Sequence, residues 1–245
     1  MALRPGVIDA ILFDAGNTLL HLDYEYICEI LGRHGHATEP LAFRLAEYGA
    51  RAAIDRELAP DMAPPESVEG LLWGDGERPS YFAVALHHLG ISGAAAAPIL
   101  AELKRSNEES CLWRIVEPDT AAVLEALRER GLRLAVVSNA DGRVEDLLRT
   151  AGLAGFFEII IDSSKVGVEK PDPRIFGFAL DHVGVAAERA VYVGDVYGID
   201  VAGARRAGLT PVLIDRLHRY PRQLDCLRIA ELPELPALIP EQAKG

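Results

Sequence analysis

The sequence predicts an α/β protein: a doubly wound, Rossmann-like parallel sheet joined to an all-helical second domain. Three observations carry this. Apolar, β-rich runs recur along the chain with helical stretches between them, the alternation of a doubly wound sheet. Several of those runs lack inside/outside alternation, as strands buried on both faces do. One long interval, from about Tyr24 to Arg114, holds only helical windows.

The elements follow in chain order. The first strand is "VIDAILFD" (Val7 to Asp14), which carries a carboxylate to its tip and breaks into a turn containing Gly16. Helical windows then run through "YEYICEILGRHG", "EPLAFRLAEYGARAAIDREL", "PSYFAVALHHLG" and "AAAAPILAELKRSNEES", two of them separated by the proline-rich loop "APDMAPPES" (Ala59 to Ser67). Residues 23–114 are therefore assigned to a helical domain, and 1–22 with 115–245 to the sheet-bearing core. "DTAAVLEALRERG" spaces Val123, Leu124 and Leu127 for one helix face, with Asp119 or Thr120 as N-cap and Gly131 just past the end. "LRLAVVS" and "FEIIID" are the second and third strands. "KPDPRIFGFALDHVG" is a helix with Asp172 as N-cap, Pro173 at the first helical position and Gly184 as terminator. "AVYVGD" and "TPVLID" are the fourth and fifth strands, with the helix "DVAGARRAG" (Asp200 to Gly208) between them.

Composition narrows the function. With 245 residues, 49% hydrophobic and 25% charged, the chain can bury one large or two modest cores. No apolar run approaches the roughly 20 residues of a membrane span, and the N-terminal stretch lacks a signal peptide's apolar core, so a cytoplasmic, membrane-free protein is expected. Cys28, Cys111 and Cys226 are odd in number and contain no C-x-x-C pair, which speaks for reduced thiols rather than disulfides or zinc. A net charge of −12 argues against a nucleic-acid partner. Any anionic substrate must then meet a local positive site. The sequence leaves monomer and homodimer equally open.

Open parallel sheets place ligand chemistry outside the carboxyl ends of their strands. Strand one ends in Asp14, strand two in Ser138 and Asn139, and strand four in Gly194 and Asp195, with Asp200 five residues later and Lys170 before Pro171 between strands three and four. Clustered carboxylates repel one another unless a cation joins them, and an all-oxygen donor set suits Mg²⁺.

In this order, Asp14 and Thr18 in "FDAGNTLL", Ser138 in "VVSNADG", Lys170 in "VGVEKPDP", and Asp195 with Asp200 in "VGDVYGID" make the chain resemble the haloacid dehalogenase-like superfamily, in its subfamily with a helical cap inserted after the first strand. The resemblance implies a small phosphorylated substrate, Asp14 as nucleophile through an aspartyl-phosphate, and Mg²⁺ held by Asp14, the backbone carbonyl of Gly16, Asp195 and Asp200. It further implies that Ser138 with the N–H groups after it binds phosphoryl oxygens, and that Lys170 neutralises charge; Thr18 and Asn139 join the substrate-binding set. Most phosphatases of this family carry a second aspartate two residues after the nucleophile, the acid for the leaving group; here that position is Gly16.

That gap keeps three readings in play. The first is a Mg²⁺-dependent phosphohydrolase, slow on alkyl esters and competent where the leaving group departs as a stable anion. The second is a 2-haloacid dehalogenase, against which the retained Asp195 and Asp200 count. The third is a phosphate-binding protein with weak or no turnover. Phosphonate hydrolysis is set aside, because Lys104 is the only lysine of the insert and lies near its far end. A surrogate acid is sought in His21, with Asp23, Tyr24 and Tyr26 behind it, although a hinge or surface histidine is the plainer reading. Read singly, Asp14, Ser138 and Asp200 would each be a strand-end or helix-capping residue, and Lys165 competes with Lys170 as the loop lysine. Arg143 and Tyr197 sit in the right loops without an assignable role, His87 and His88 belong on a cap helix, and Trp73 and Trp113 read as packing residues.

Overall fold

The computed structural model describes residues 8–64 and 80–239; Val7, the end of the proline-rich loop and Trp73 lie outside them. The strands are β1 (Ala10–Phe13), β2 (His21–Leu22), β3 (Trp113–Ile115), β4 (Arg133–Ser138), β5 (Ile159–Asp162), β6 (Ala190–Gly194), β7 (Thr210–Ile214) and β8 (Leu227–Ile229). The helices are α1 (Tyr24–Arg33), α2 (Pro40–Leu58), α3 (Tyr81–His88), α4 (Gly93–Ser110), α5 (Thr120–Glu129), α6 (Val144–Thr150), α7 (Ser163–Val166), α8 (Arg174–Val183), α9 (Ala202–Arg206) and α10 (Leu235–Leu238). The chain divides into two compact units, Met1–His21 with Ile115–Gly245, and Leu22–Arg114.

The first unit is built on a six-stranded sheet in the order β5-β4-β1-β6-β7-β8, parallel at every pairing. β1 sits centrally because all four of its residues are apolar and fully buried. Ala10 and Leu12 join Ala135, Val137 and Tyr192 in a cluster with Ile175, Phe176, Ala179 and Val183 of α8. Each large side chain so buried contributes about 1.5–3 kcal/mol. From β1 the chain leaves for the helical unit, returns through β4 and β5 on one side, and crosses back to β6 on the other. Its switch point therefore lies at the carboxyl ends of β4, β1 and β6, the crevice where such sheets bind ligands.

The second unit has its own core, in which Ile27, Ile30 and Leu31 of α1 meet Phe43 and Ala50 of α2, Val84 to Leu86 of α3, and Ile99 and Leu103 of α4. Asp23 caps α1 by accepting from the Tyr26 N–H at 3.0 Å. It also ties the unit's beginning to its end: its N–H donates to the Leu112 carbonyl at 2.9 Å, and Arg114 pairs with its carboxylate at 2.8 Å.

Three strands and two helix starts depart from the sequence reading. β2, β3 and β8 are two or three residues long, too short for a period to show, so Trp113 and Arg114, at the end of the interval read as helical, prove to be strand. Asp200 does not cap the helix after it; it lies inside a π-helical turn, Tyr197–Val201, ahead of α9. Pro173 holds the N-cap position of α8, and Asp172 instead accepts from the Arg174 N–H at 2.9 Å.

Candidate active site

The backbone delivers the site before any side chain does. Pairing of Phe13 with Val136 and with Val193 ends β1 level with its neighbours, and the Asp14 N–H donates to the Val193 carbonyl at 2.8 Å. The chain then turns back at once: the Asn17 N–H reaches the Leu20 carbonyl at 2.7 Å, and Asn17 adopts the left-handed conformation at φ 54°, which asparagine tolerates.

Asp14, Asp195 and Asp200 are all buried, and one carboxylate oxygen of each lies within 4.8 Å of the others. Lys170 stands among them. Its Nζ donates to Asp14 Oδ1 at 2.7 Å, to Asp200 Oδ1 at 2.8 Å and to the Tyr192 hydroxyl at 2.8 Å. The other oxygen of Asp200 accepts from the Asp195 and Val196 N–H groups at 3.0 and 2.9 Å, so it shapes the loop that carries Asp195. Gly194 makes room for this: a Cβ there would lie 2.4 Å from Asp200 Cγ, closer than any side chain allows.

The electrostatics follow from burial. Desolvation raises the Asp14 carboxyl above its usual range, Lys170 opposing the rise and Asp200 adding to it. Burial alone would lower Lys170, but Asp14 and Asp200 outweigh it and hold the ammonium at about 12. Burial, then Asp200 and Asp14, push the Tyr192 phenol well above its usual value, so it stays neutral. Three carboxylates against one ammonium leave an excess of two negative charges, which a buried cluster sheds most readily to a divalent cation. The donors are oxygens only, the set Mg²⁺ takes, so the residues present fit that metal.

The remaining candidates divide. Ser138, at the tip of β4, is buried and acts to lower the neighbouring Asp14 carboxyl, the smallest of the influences on it. Asn139 works on the backbone of Lys170, accepting its N–H at 2.7 Å and donating to its carbonyl at 2.9 Å. Thr18 is fully buried, and its Oγ1 has no hydrogen-bond partner among the described residues. Gly16 offers only backbone, bridged to Leu20. Lys165 pairs with Glu145 at 3.7 Å on the surface, leaving Lys170 as the lysine of the cluster. Of the surrogate acids, His21 Nε2 meets Arg216 at 3.3 Å and Glu117 at 3.9 Å. Tyr24 reaches Glu47 at 3.4 Å and Tyr26 reaches Ser106 at 3.5 Å, while Asp23 is spent on its cap and Arg114. Tyr197 binds Asp225 at 2.6 Å, and Arg143 binds Asp141 at 2.6 Å.

Two contributors are missed by the sequence reading. Tyr192 lies mid-strand in β6, where an aromatic reads as core. Asp162, at the end of β5, accepts from the Gly142 and Ser164 N–H groups at 2.9 and 3.0 Å, pinning the loop beyond Ser138; its place at a strand tip in "FEIIID" was the available signal.

The sequence matches the haloacid dehalogenase-like hydrolase family over residues 8–208. The chain belongs to that family. Haloacid dehalogenase-like hydrolase domain-containing protein 3 of Homo sapiens is 34% identical over 214 residues, covering 84% of this chain and 82% of that protein. Its Bos taurus counterpart is 40% identical over 129 residues, covering 52% of this chain, so the match spans about half, 51%, of that relative's length. Glyceraldehyde 3-phosphate phosphatase of Methanopyrus kandleri is 30% identical over 217 residues, covering 86% of this chain and 85% of that one. Among solved structures, the HAD-hydrolase YfnB from Bacillus subtilis bound to magnesium superposes with a TM-score of 0.65 at 18% identity, covering 96% of this chain and 99% of that one. The L-2-haloacid dehalogenase RSc1362 gives 0.63 at 23% identity over the same shares. The haloacid dehalogenase-like fold thus accommodates the present chain throughout, and the reaction has to be read from its site.

Proposed function

We propose that this family member is a Mg²⁺-dependent phosphohydrolase of a small phosphorylated metabolite, acting through an aspartyl-phosphate on Asp14. The observation that carries the reading is the buried trio of Asp14, Asp195 and Asp200, two of them paired with Lys170, whose uncompensated negative charge suits a divalent cation and has no use in a metal-free displacement at carbon. The Methanopyrus kandleri phosphatase, similar over 85% of its length, supports the same chemistry.

In this reading Asp14, held by Lys170, attacks phosphorus in line while the bond to the leaving group breaks. Water then attacks the phosphorus of the aspartyl-phosphate, releasing inorganic phosphate and regenerating the carboxylate; one difficult displacement becomes two. Lys170 keeps positive charge beside Asp14, and Ser138 and Thr18 with the neighbouring backbone N–H groups orient the phosphoryl oxygens, while the Asn139 amide holds the Lys170 backbone in place. Asp14, the Gly16 carbonyl, Asp195 and Asp200 would hold Mg²⁺, which when bound would supply Lewis-acid neutralisation of the negative charge at the reacting centre. Gly16 offers no acid, so substrates whose leaving groups depart as stable anions, acyl or aryl phosphates, are turned over best. The inserted helical unit corresponds to the cap of this family, the part in which substrate selectivity is sought.

The test is a substrate panel with and without Mg²⁺. Phosphate release that requires the metal and is lost in Asp14→Asn is expected. Metal-independent halide release from 2-haloacids would replace this reading with a dehalogenase, and tight phosphate binding without turnover would make the protein a binder.

A further inference from the structure

We infer that Tyr192 is a positioning residue, its hydroxyl fixing the Lys170 ammonium in register between Asp14 and Asp200. The inference rests on reading Asp14 and Lys170 as the reacting centre, and it names a residue that lies in none of the strand-tip motifs.

An ammonium has three N–H donors and no acceptor. Two of those of Lys170 go to carboxylates, Asp14 at 2.7 Å and Asp200 at 2.8 Å. With two acceptors alone, the group can swing about its last bonds, following whichever carboxylate moves. The third donor meets the Tyr192 oxygen at 2.8 Å, and with three acceptors in place the orientation is set. Tyr192 serves as an acceptor only if its own proton goes elsewhere, and it does: the hydroxyl donates to the Val137 carbonyl at 2.8 Å, while Asp200 Oδ1 lies farther off at 3.3 Å. The phenol is thus held at both ends of its hydrogen-bonding capacity. Its ring is equally fixed, fully buried and edge-on to Phe176 with centroids 4.9 Å apart.

A space-filling role would not require the hydroxyl. Phenylalanine fills nearly the same volume without a polar atom to satisfy, and a buried hydroxyl is retained at a cost unless it is bonded. Position along the strand adds to this. Tyr192 pairs in register with Leu12 of β1, two residues before Asp14, and precedes Asp195 by three residues on its own strand. One rigid sheet therefore carries the nucleophile, a metal ligand and the group that orients the lysine.

The test is Tyr192→Phe, read in two ways. On the phosphorylated substrate that serves best, kcat is expected to fall about tenfold, with KM within about twofold of wild type and the fold retained, the pattern of a charge-assisted hydrogen bond that matters to the reacting state. In ¹⁵N-resolved NMR of the lysine ammonium groups, Lys170 of the wild type is expected to give a slowly exchanging signal with cross-relaxation to the Tyr192 ring protons. That signal is expected to broaden through faster exchange in the variant. A merely structural hydroxyl would move neither the kcat/KM split nor the exchange, so a variant with wild-type kcat and an unchanged ammonium signal overturns the inference. Because the ammonium is observed without turnover, a wild type inactive on every phosphorylated compound sinks the phosphohydrolase reading and leaves this test standing. If Tyr192→Phe fails to fold, the wild-type spectrum decides, and absence of the cross-relaxation overturns the inference.

Discussion

Gly16 is the position at which one substitution tests the most chemistry. It is only half-buried and is not among the residues with positive φ, so an aspartate fits its backbone without strain. If the missing acid limits the reaction, Gly16→Asp is expected to raise turnover of alkyl phosphates by about 10²-fold or more, the usual scale of general acid catalysis. Steady-state rates on alkyl and aryl esters measure this, and an unchanged ratio in a folded, metal-binding variant would mean that the acid is not what limits. Lys170 carries a pH signature. Its folded value of about 12 exceeds the ordinary 10.5, so its charge stabilises the fold below the ordinary value, and that contribution is lost as pH rises through the folded one. The gap in urea midpoint between wild type and Lys170→Met is expected to be constant from neutral pH to about pH 10 and to close as pH rises through about 12. Asp14, Ser138, Lys170, Asp195 and Asp200 were legible because each stands at a strand tip or loop where an open sheet places its chemistry. Tyr192 was not, because a tyrosine amid valines in a buried strand looks the same whether its hydroxyl is used or merely tolerated.

Among the elements, β6 and the turn after it hold the tightest fit. Gly194→Ala would drive a methyl into the Asp200 carboxylate, and overpacking of this kind costs about 1–3 kcal/mol. The expected result is a lower urea midpoint together with weaker Mg²⁺ binding, read by chemical denaturation and by titration of the metal; an alanine variant with wild-type values in both would show that the turn can relax. The five long strands were readable from unbroken apolar runs. The tip of β6 was misread for a local reason: Asp200 precedes a run that looks helical, and an aspartate before a helix ordinarily caps it. Here the carboxylate bonds backward to Asp195 and Val196, and the helix starts through a π turn. Spacing alone does not separate a carboxylate that starts a helix from one that closes a loop.

At the scale of the whole molecule, the described residues include a core against the sheet and a separate one among α1 to α4, and stability divides accordingly. A ligand that binds only the folded core unit at about 100 times its dissociation constant adds about 2.7 kcal/mol to that unit. Calorimetry with and without Mg²⁺ is therefore expected to show one transition that moves with the metal and one that does not; a single transition moving as a whole would mean that the units unfold together. The division was visible in the sequence as a long interval without strand character, though its edges were not, because β2 and β3 are too short to announce themselves. Asp23, bonded to Leu112 and Arg114, clasps the two ends of the helical unit together. For the sheet, everything between is a closed loop, and doubling a loop's length costs only about 0.6 kcal/mol. A unit hung on such a clasp is exchangeable: it can be lengthened, trimmed or grafted from another chain while the strand that bears Asp14 keeps its place.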